Sequence, residues 1–164
     1  MGPKALSLRM RKDQNEYEIL KRNALVADQA MRQAWSEMRI GMTENDVAAV
    51  VRDSFKANNA DPLFHIVGAG ANGAFPHHHT GNTELAEGDI VVMDIGGGQD
   101  GYSSDMTRMA CMGIPPADYN DVHAIVEAAV QSAMAAARPG VKAHVVDDAA
   151  RKVITDAGYG ELFF

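Results

Sequence analysis

The chain has 164 residues, 46% hydrophobic and 23% charged, which suffices for one globular domain with a buried core. A formal charge of −7, with basic residues scattered beyond a small excess at Lys4, Arg9, Arg11 and Lys12, excludes nucleic acid and anionic membrane as partners. No signal-like or membrane-spanning apolar run occurs, and the one cysteine, Cys111, lies among apolar neighbours and has no internal partner, so a cytoplasmic protein is expected.

Residues 1–12 read as a solvated leader. From Gln14 to Met38 there is no glycine or proline, and Ile19, Leu20, Ala24, Val26, Ala27, Ala30, Met31, Ala34 and Trp35 recur at helical spacing, which predicts a long amphipathic helix. Gly41 ends it. Thr43 is a plausible N-cap for a second helix to about Asn58, with Glu44 and Asp46 in its first turn. A strand over Pro62–Val67 and a loop over Gly68–Pro76 follow. Two β-rich stretches, Asp89–Ile95 and Gly101–Cys111, are separated by a glycine-rich turn. After Pro115-Pro116 helical periodicity returns from about Tyr119 to Ala137, breaks at Pro139-Gly140, and resumes from Ala143 to Ala157, with Gly158 at the stop.

Displacing the chain on itself by 99 residues sets Ala30 on Ala129, Ala34 on Ala133, Arg39 on Arg138, Gly41 on Gly140 and Arg52 on Arg151. Both copies read as long helix, Arg-x-Gly break and shorter helix. The first pair leads into a sheet; after the second the sequence given holds no second sheet.

The segment from Gly88 to Ala110 carries the chemistry. With a turn centred on Gln99-Asp100, paired residue numbers sum to 199 and Asp94 faces Asp105 across the ladder. With the type I′ pair Asp100-Gly101 at the turn, Asp94 faces Thr107 instead. Either register keeps both aspartates on one face. Like charges at ~5 Å repel by roughly 3 kcal/mol at an effective dielectric of ~20, so a proton, an arginine or a divalent cation must offset them. Among apolar neighbours, Asp94 is expected in a strand buried on both faces. A purely structural alternative pairs Asp105 with Arg108 and makes Asp94 a turn-flanking residue.

The motif Asp-x-Gly…Gly-Tyr-x-Ser-Asp-x-Thr-Arg, set by Asp94, Gly96, Gly101, Tyr102, Ser104, Asp105, Thr107 and Arg108, resembles the metal-binding hairpin of the pita-bread metallopeptidases. These comprise methionine aminopeptidase, Xaa-Pro aminopeptidase and prolidase. The resemblance implies an α+β pita-bread domain in part over 13–164. Its first repeat would occupy about 13–113 and the helices of its second about 117–158. It further implies a pair of divalent ions (Mn²⁺, Co²⁺ or Zn²⁺), with Asp94 chelating one and Asp105 bridging both, and a peptide substrate cut at an N-terminal Xaa-Pro bond by metal-activated water. The family's remaining ligands, one histidine and two glutamates, would lie beyond Phe164. The chain alone is therefore expected to bind metal weakly without turnover, as a fragment of a longer enzyme. A homodimer is a further expectation. A creatinase-like hydrolase and a non-catalytic binding module of the same fold are the alternatives.

Three successive histidines, His77, His78 and His79, cannot all converge on one ion from an extended segment. By resemblance, Asn72-Gly73-Ala74-Phe75-Pro76-His77 matches the element that supplies a substrate-site histidine, so His77 inherits the catalytic role and its two neighbours become rim residues. Gly68-x-Gly70-x-x-Gly73 imitates a dinucleotide fingerprint, but no helix follows to receive a pyrophosphate. His65 is expected in the core, and His123 and His144 on helices without a site.

Overall fold

The computed structural model describes residues 3–163. It divides into two compact units, Met1–Ile114 and Pro115–Phe164. In the first, helices α1 (Pro3–Met10), α2 (Gln14–Glu37) and α3 (Glu44–Ala57) precede strand β1 (Asp61–Ala69), a 3₁₀ turn (Gly70–Ala74) and strands β2 (Ile90–Gln99), β3 (Tyr102–Ser103) and β4 (Met106–Cys111). The leader is thus helical, with Leu8 and Met10 exposed.

Both longer helices begin at reciprocal caps. Asp13 accepts from the Glu16 amide at 2.8 Å while its own amide donates to the Glu16 carboxylate at 2.7 Å. Thr43 and Asp46 repeat the arrangement at α3, with 3.1 and 2.8 Å bonds. Such caps contribute about 1 kcal/mol each.

The sheet is antiparallel, with β2 at its centre, β1 on one side, and β3 and β4 end to end on the other. Alternation along β2 sends Val91, Met93 and Ile95 into a core shared with Ala27, Met31 and Ala34 of α2 and Val47, Val51 and Phe55 of α3. Val92 and Asp94 point to the other face, where they are half-buried. The expectation of a strand buried on both faces therefore fails: β2 alternates, as antiparallel strands with one covered face do.

Gly96, Gly97 and Gly98 do not form the expected turn. They continue β2, because neighbours occupy the space their side chains would need. A Cβ on Gly96 would meet the Phe64 ring at 2.2 Å and the Ser104 carbonyl at 2.5 Å. One on Gly97 would meet the buried Phe55 ring at 2.3 Å. The glycines let aromatic rings from both faces reach the backbone.

The second unit is a helix pair, α4 (Tyr119–Ala136) and α5 (Ala143–Asp156), followed by a 3₁₀ turn at Gly160–Leu162. The repeat seen in the sequence reappears in the element boundaries. Helix ends at 37, 44 and 57 return at 136, 143 and 156, displaced by 99 residues. The left-handed residues Gly41 and Asn59 return as Gly140 and Gly158. Burial does not repeat: Ala27 and Met31 are 0% and 1% exposed beneath the sheet, whereas their equivalents Val126 and Val130 are 48% and 47% exposed. No helix among the described residues is long and apolar enough to cross a membrane.

Candidate functional site

The hairpin formed by β2, β3 and β4 turns at Asp100-Gly101, where both residues have positive φ (+53° and +80°). This is the backbone of a two-residue type I′ connection, which Asp-Gly adopts readily. Gln99 pairs with Tyr102, Gly98 with Ser103, and Asp94 with Thr107. The register that set Asp94 opposite Asp105 is therefore wrong by two residues, since it required Gln99 to lie inside the turn.

Side chains of α2 and the end of α3 pin the tip. Asn23 accepts from the Gln99 amide at 2.9 Å, Arg22 pairs with Asp100, and Tyr102 donates to Glu16 at 2.6 Å. The Gln99 carboxamide donates to the carbonyls of Asn58 and Asn59 at 2.6 and 3.0 Å. The Tyr102 bond is the main reason the Glu16 carboxyl lies below its usual range.

The ladder keeps one register on both sides of Ser104-Asp105, so no residue is inserted there and Asp105 stands opposite Gly96. Ser104 and Asp105 lie between β3 and β4, outside either strand, and in this register Asp105 is a diagonal neighbour of Asp94, a relation in which Cα atoms are about 7–8 Å apart. Asp105 is exposed and Asp94 half-buried. Thr107 donates to Asp94 Oδ1 at 2.8 Å and fixes that carboxylate's rotamer. Arg108 donates to the Thr107 carbonyl at 2.7 Å, and among the described residues it forms no ion pair with Asp105. Ser104 bonds both the amide and the carbonyl of Gly97, at 3.2 and 3.1 Å. Ser104, Thr107 and Arg108 thus each make a local bond that shapes the ribbon.

The β1–β2 connection folds onto the same face, because a Cβ on Gly73 would meet Val92 at 2.9 Å. Its glycines open a 3₁₀ turn and no dinucleotide-type helix. His77 follows at φ +57°, exposed to solvent. His78 is not a rim residue: its Nε2 lies 2.9 Å from the Glu44 carboxylate, and its side chain is 17% exposed. His79 is exposed. His65 sits on β1 with Nε2 3.1 Å from Arg52; burial, and secondarily that guanidinium, lower its pKa. His123 packs near Tyr119, and His144 pairs with Asp148 at 3.0 Å.

Glu44, expected only as a helix-start acid, is fully buried. Its Oε1 accepts from the Ala69 amide at 2.9 Å and Asn72 Nδ2 at 2.8 Å, and its Oε2 from the Gly81 amide at 2.9 Å, beside His78. Burial by itself raises the carboxyl pKa. The bonds from Ala69, His78, Asn72 and Gly81 outweigh it and hold the group below its usual range. No local pattern announces this role, because the partners lie 25 to 37 positions away.

Asp94 and Asp105 offer the hard oxygen donors that Mn²⁺ and related divalent ions accept. Among the described residues no group of three or more His, Cys, Asp or Glu side chains could hold an ion, so the donor set fits a metal in type but supplies only part of a coordination shell.

Comparison with known proteins supplies the context. The sequence matches the description "Metallopeptidase family M24" over residues 18–164. It is 40% identical over 158 residues to the probable dipeptidase PepE of Mycobacterium tuberculosis, covering 95% of this chain and 42% of the relative. Against the Xaa-Pro dipeptidase of Pyrococcus furiosus the figures are 36% identity, 95% and 45%. Among solved structures, an X-Pro aminopeptidase from Thermotoga maritima superposes with a TM-score of 0.94 at 31% identity, covering 98% of this chain and 46% of the other. The prolidase from Pyrococcus furiosus gives a TM-score of 0.91 at 36% identity, covering 94% and 47%. The chain spans less than half the length of these relatives, and its α+β architecture is that of the N-terminal half of their pita-bread fold. A two-aspartate ribbon, a connection folded onto its outer face and a match from residue 18 to residue 164 together show that the chain belongs to metallopeptidase family M24.

Proposed function

We propose that these residues form one half of a peptidase acting at N-terminal Xaa-Pro bonds, with Asp94 and Asp105 as metal ligands and His77 as a substrate-site residue. The observation that supports the reading is the pairing register, which sets Asp105 across from Gly96, two residues along β2 from Asp94, with the connection that leads to His77 folded onto Val92 of the same strand. When bound, a divalent pair supplies Lewis-acid polarisation of the peptide carbonyl and an activated water. The chain's own residues do the rest. Asp94 would enter as a ligand with its orientation set by Thr107, the exposed Asp105 would be the second ligand, and the exposed His77 would offer a nitrogen to the scissile amide. The names of the relatives, dipeptidase and Xaa-Pro dipeptidase among them, support the substrate class. With two carboxylates at the site among the described residues, the 164-residue chain by itself is expected to bind Mn²⁺ weakly without turnover.

The test replaces the matching segment of the Pyrococcus furiosus Xaa-Pro dipeptidase with this chain. The chimera is expected to bind Mn²⁺ and cleave Xaa-Pro dipeptides. Asp94→Asn or Asp105→Asn should lose metal, and His77→Ala should keep metal while losing kcat. A folded, metal-loaded chimera that cleaves other dipeptides but no Xaa-Pro bond would refute the assignment, as would turnover by the 164-residue chain alone.

A further inference from the structure

We infer that Glu44 is a positioning residue for His77, acting through the β1–β2 connection that it ties down from inside the fold. The inference rests on the reading of His77 given above and assigns a role to a group outside the hairpin. Glu44 is the first residue of α3, at the positive end of a 14-residue helix, and its carboxylate has no exposed surface. Each oxygen takes two partners, and the four partners are spaced along the connection: Ala69 where β1 ends, Asn72 in the 3₁₀ turn, His78, and Gly81 beyond it.

The stitching is reciprocal. The amides of Glu44 and Asn45 donate to the carbonyls of Thr83 and Gly81, at 3.0 and 2.9 Å, so the helix start and the connection satisfy each other's backbone groups. His77 therefore lies between two anchored points, Asn72 five residues before it and His78 immediately after. The amides of Phe75 and His78 close the short span with 3.2 Å bonds to the carbonyls of Asn72 and Phe75. Within this span His77 takes a left-handed backbone, which a non-glycine residue holds only where its surroundings determine it. Among the described residues no hydrogen bond or ion pair joins Glu44 to the aspartate ribbon, so its influence on the site passes through the connection.

Glu44→Gln tests this on the 164-residue chain. A carboxamide has one accepting oxygen, so two of the four partners lose theirs. Amide exchange should quicken by about tenfold or more at Phe75, at His78 and at whichever of Ala69 and Gly81 loses its acceptor, while Val91, Met93 and Ile95 stay within about twofold. The ring Cε1–H resonance of His77 should move toward its unstructured position. Where Glu44→Gln does not fold, His78→Ala serves. It removes the anchor beside His77 and leaves three partners on the carboxylate, so the His77 resonance should move while Ala69 and Gly81 keep their protection. An unmoved His77 resonance, or quickening spread evenly to Met93, would overturn the inference and leave Glu44 a general packing residue. Neither measurement involves metal or turnover. A failed chimera would remove the role given to His77 and leave these results as they are.

Discussion

Replacing Gly96 by alanine adds one carbon at the point where Asp105 stands across from β2. In the structure that carbon would lie 2.2 and 2.6 Å from two atoms of the Phe64 ring and 2.5 Å from the Ser104 carbonyl oxygen. The half-buried ring can swing aside at modest cost. The carbonyl cannot, because it belongs to the backbone that joins β3 to β4 and carries Asp105, so relief requires that segment to move off β2. Overpacking of this kind costs about 1–3 kcal/mol. In a chain of this size that lowers Tm by roughly 2–4 °C per kcal/mol. Gly97→Ala, aimed at the fully buried Phe55 ring 2.3 Å away, should cost at least as much, whereas Gly98→Ala meets nothing closer than 3.2 Å and should cost least. Thermal melts of the three variants, followed by far-ultraviolet circular dichroism, check the order. If Gly96→Ala melted at the wild-type temperature, or Gly98→Ala proved the worst of the three, the close approach at the glycine run would be refuted.

Two further outcomes follow from named groups. The Glu44 carboxyl has a folded-state pKa below its ordinary 4.5, so below that value the unfolded chain binds a proton the folded chain refuses. The associated stability is complete above the unfolded pKa and is lost as pH falls through the folded one. Urea midpoints measured from about pH 6 down to about pH 3 should fall for the wild type and fall less steeply for Glu44→Gln; parallel curves would contradict the assignment. Thr107→Val removes the hydroxyl that holds Asp94 Oδ1 and should weaken Mn²⁺ binding by the chimera about 10–100-fold, read by calorimetry, with unchanged affinity as the contrary result.

Much of the architecture was legible from local patterns. Thr43 and the Gly41/Gly140 repeat mark helix boundaries through capping and left-handed breaks, both encoded within a few residues. The expectation of a shared face for Asp94 and Asp105 does not depend on which register is taken. The two candidate registers differ by two residues, and side chains change face only on a shift of one. What failed depends on distant neighbours. The glycine run looked like a turn because nothing near it in sequence reveals that Phe55 and Phe64 occupy its missing side-chain space. Burial of Glu44 is set by Ala69, Asn72, His78 and Gly81, and so is the difference between His78 and its exposed neighbours. The uneven burial of the two helix pairs follows from the sheet that covers one of them, a relation periodicity does not encode.

The connection at Asp100-Gly101 is among the shortest an antiparallel ribbon can use. Closing so small a loop forfeits little chain entropy, and ribbons of this size zip within about microseconds. Residues 94 to 105 therefore behave as a nearly self-sufficient cassette, shaped by local chain alone while Glu16, Arg22 and Asn23 serve to stiffen the tip from outside.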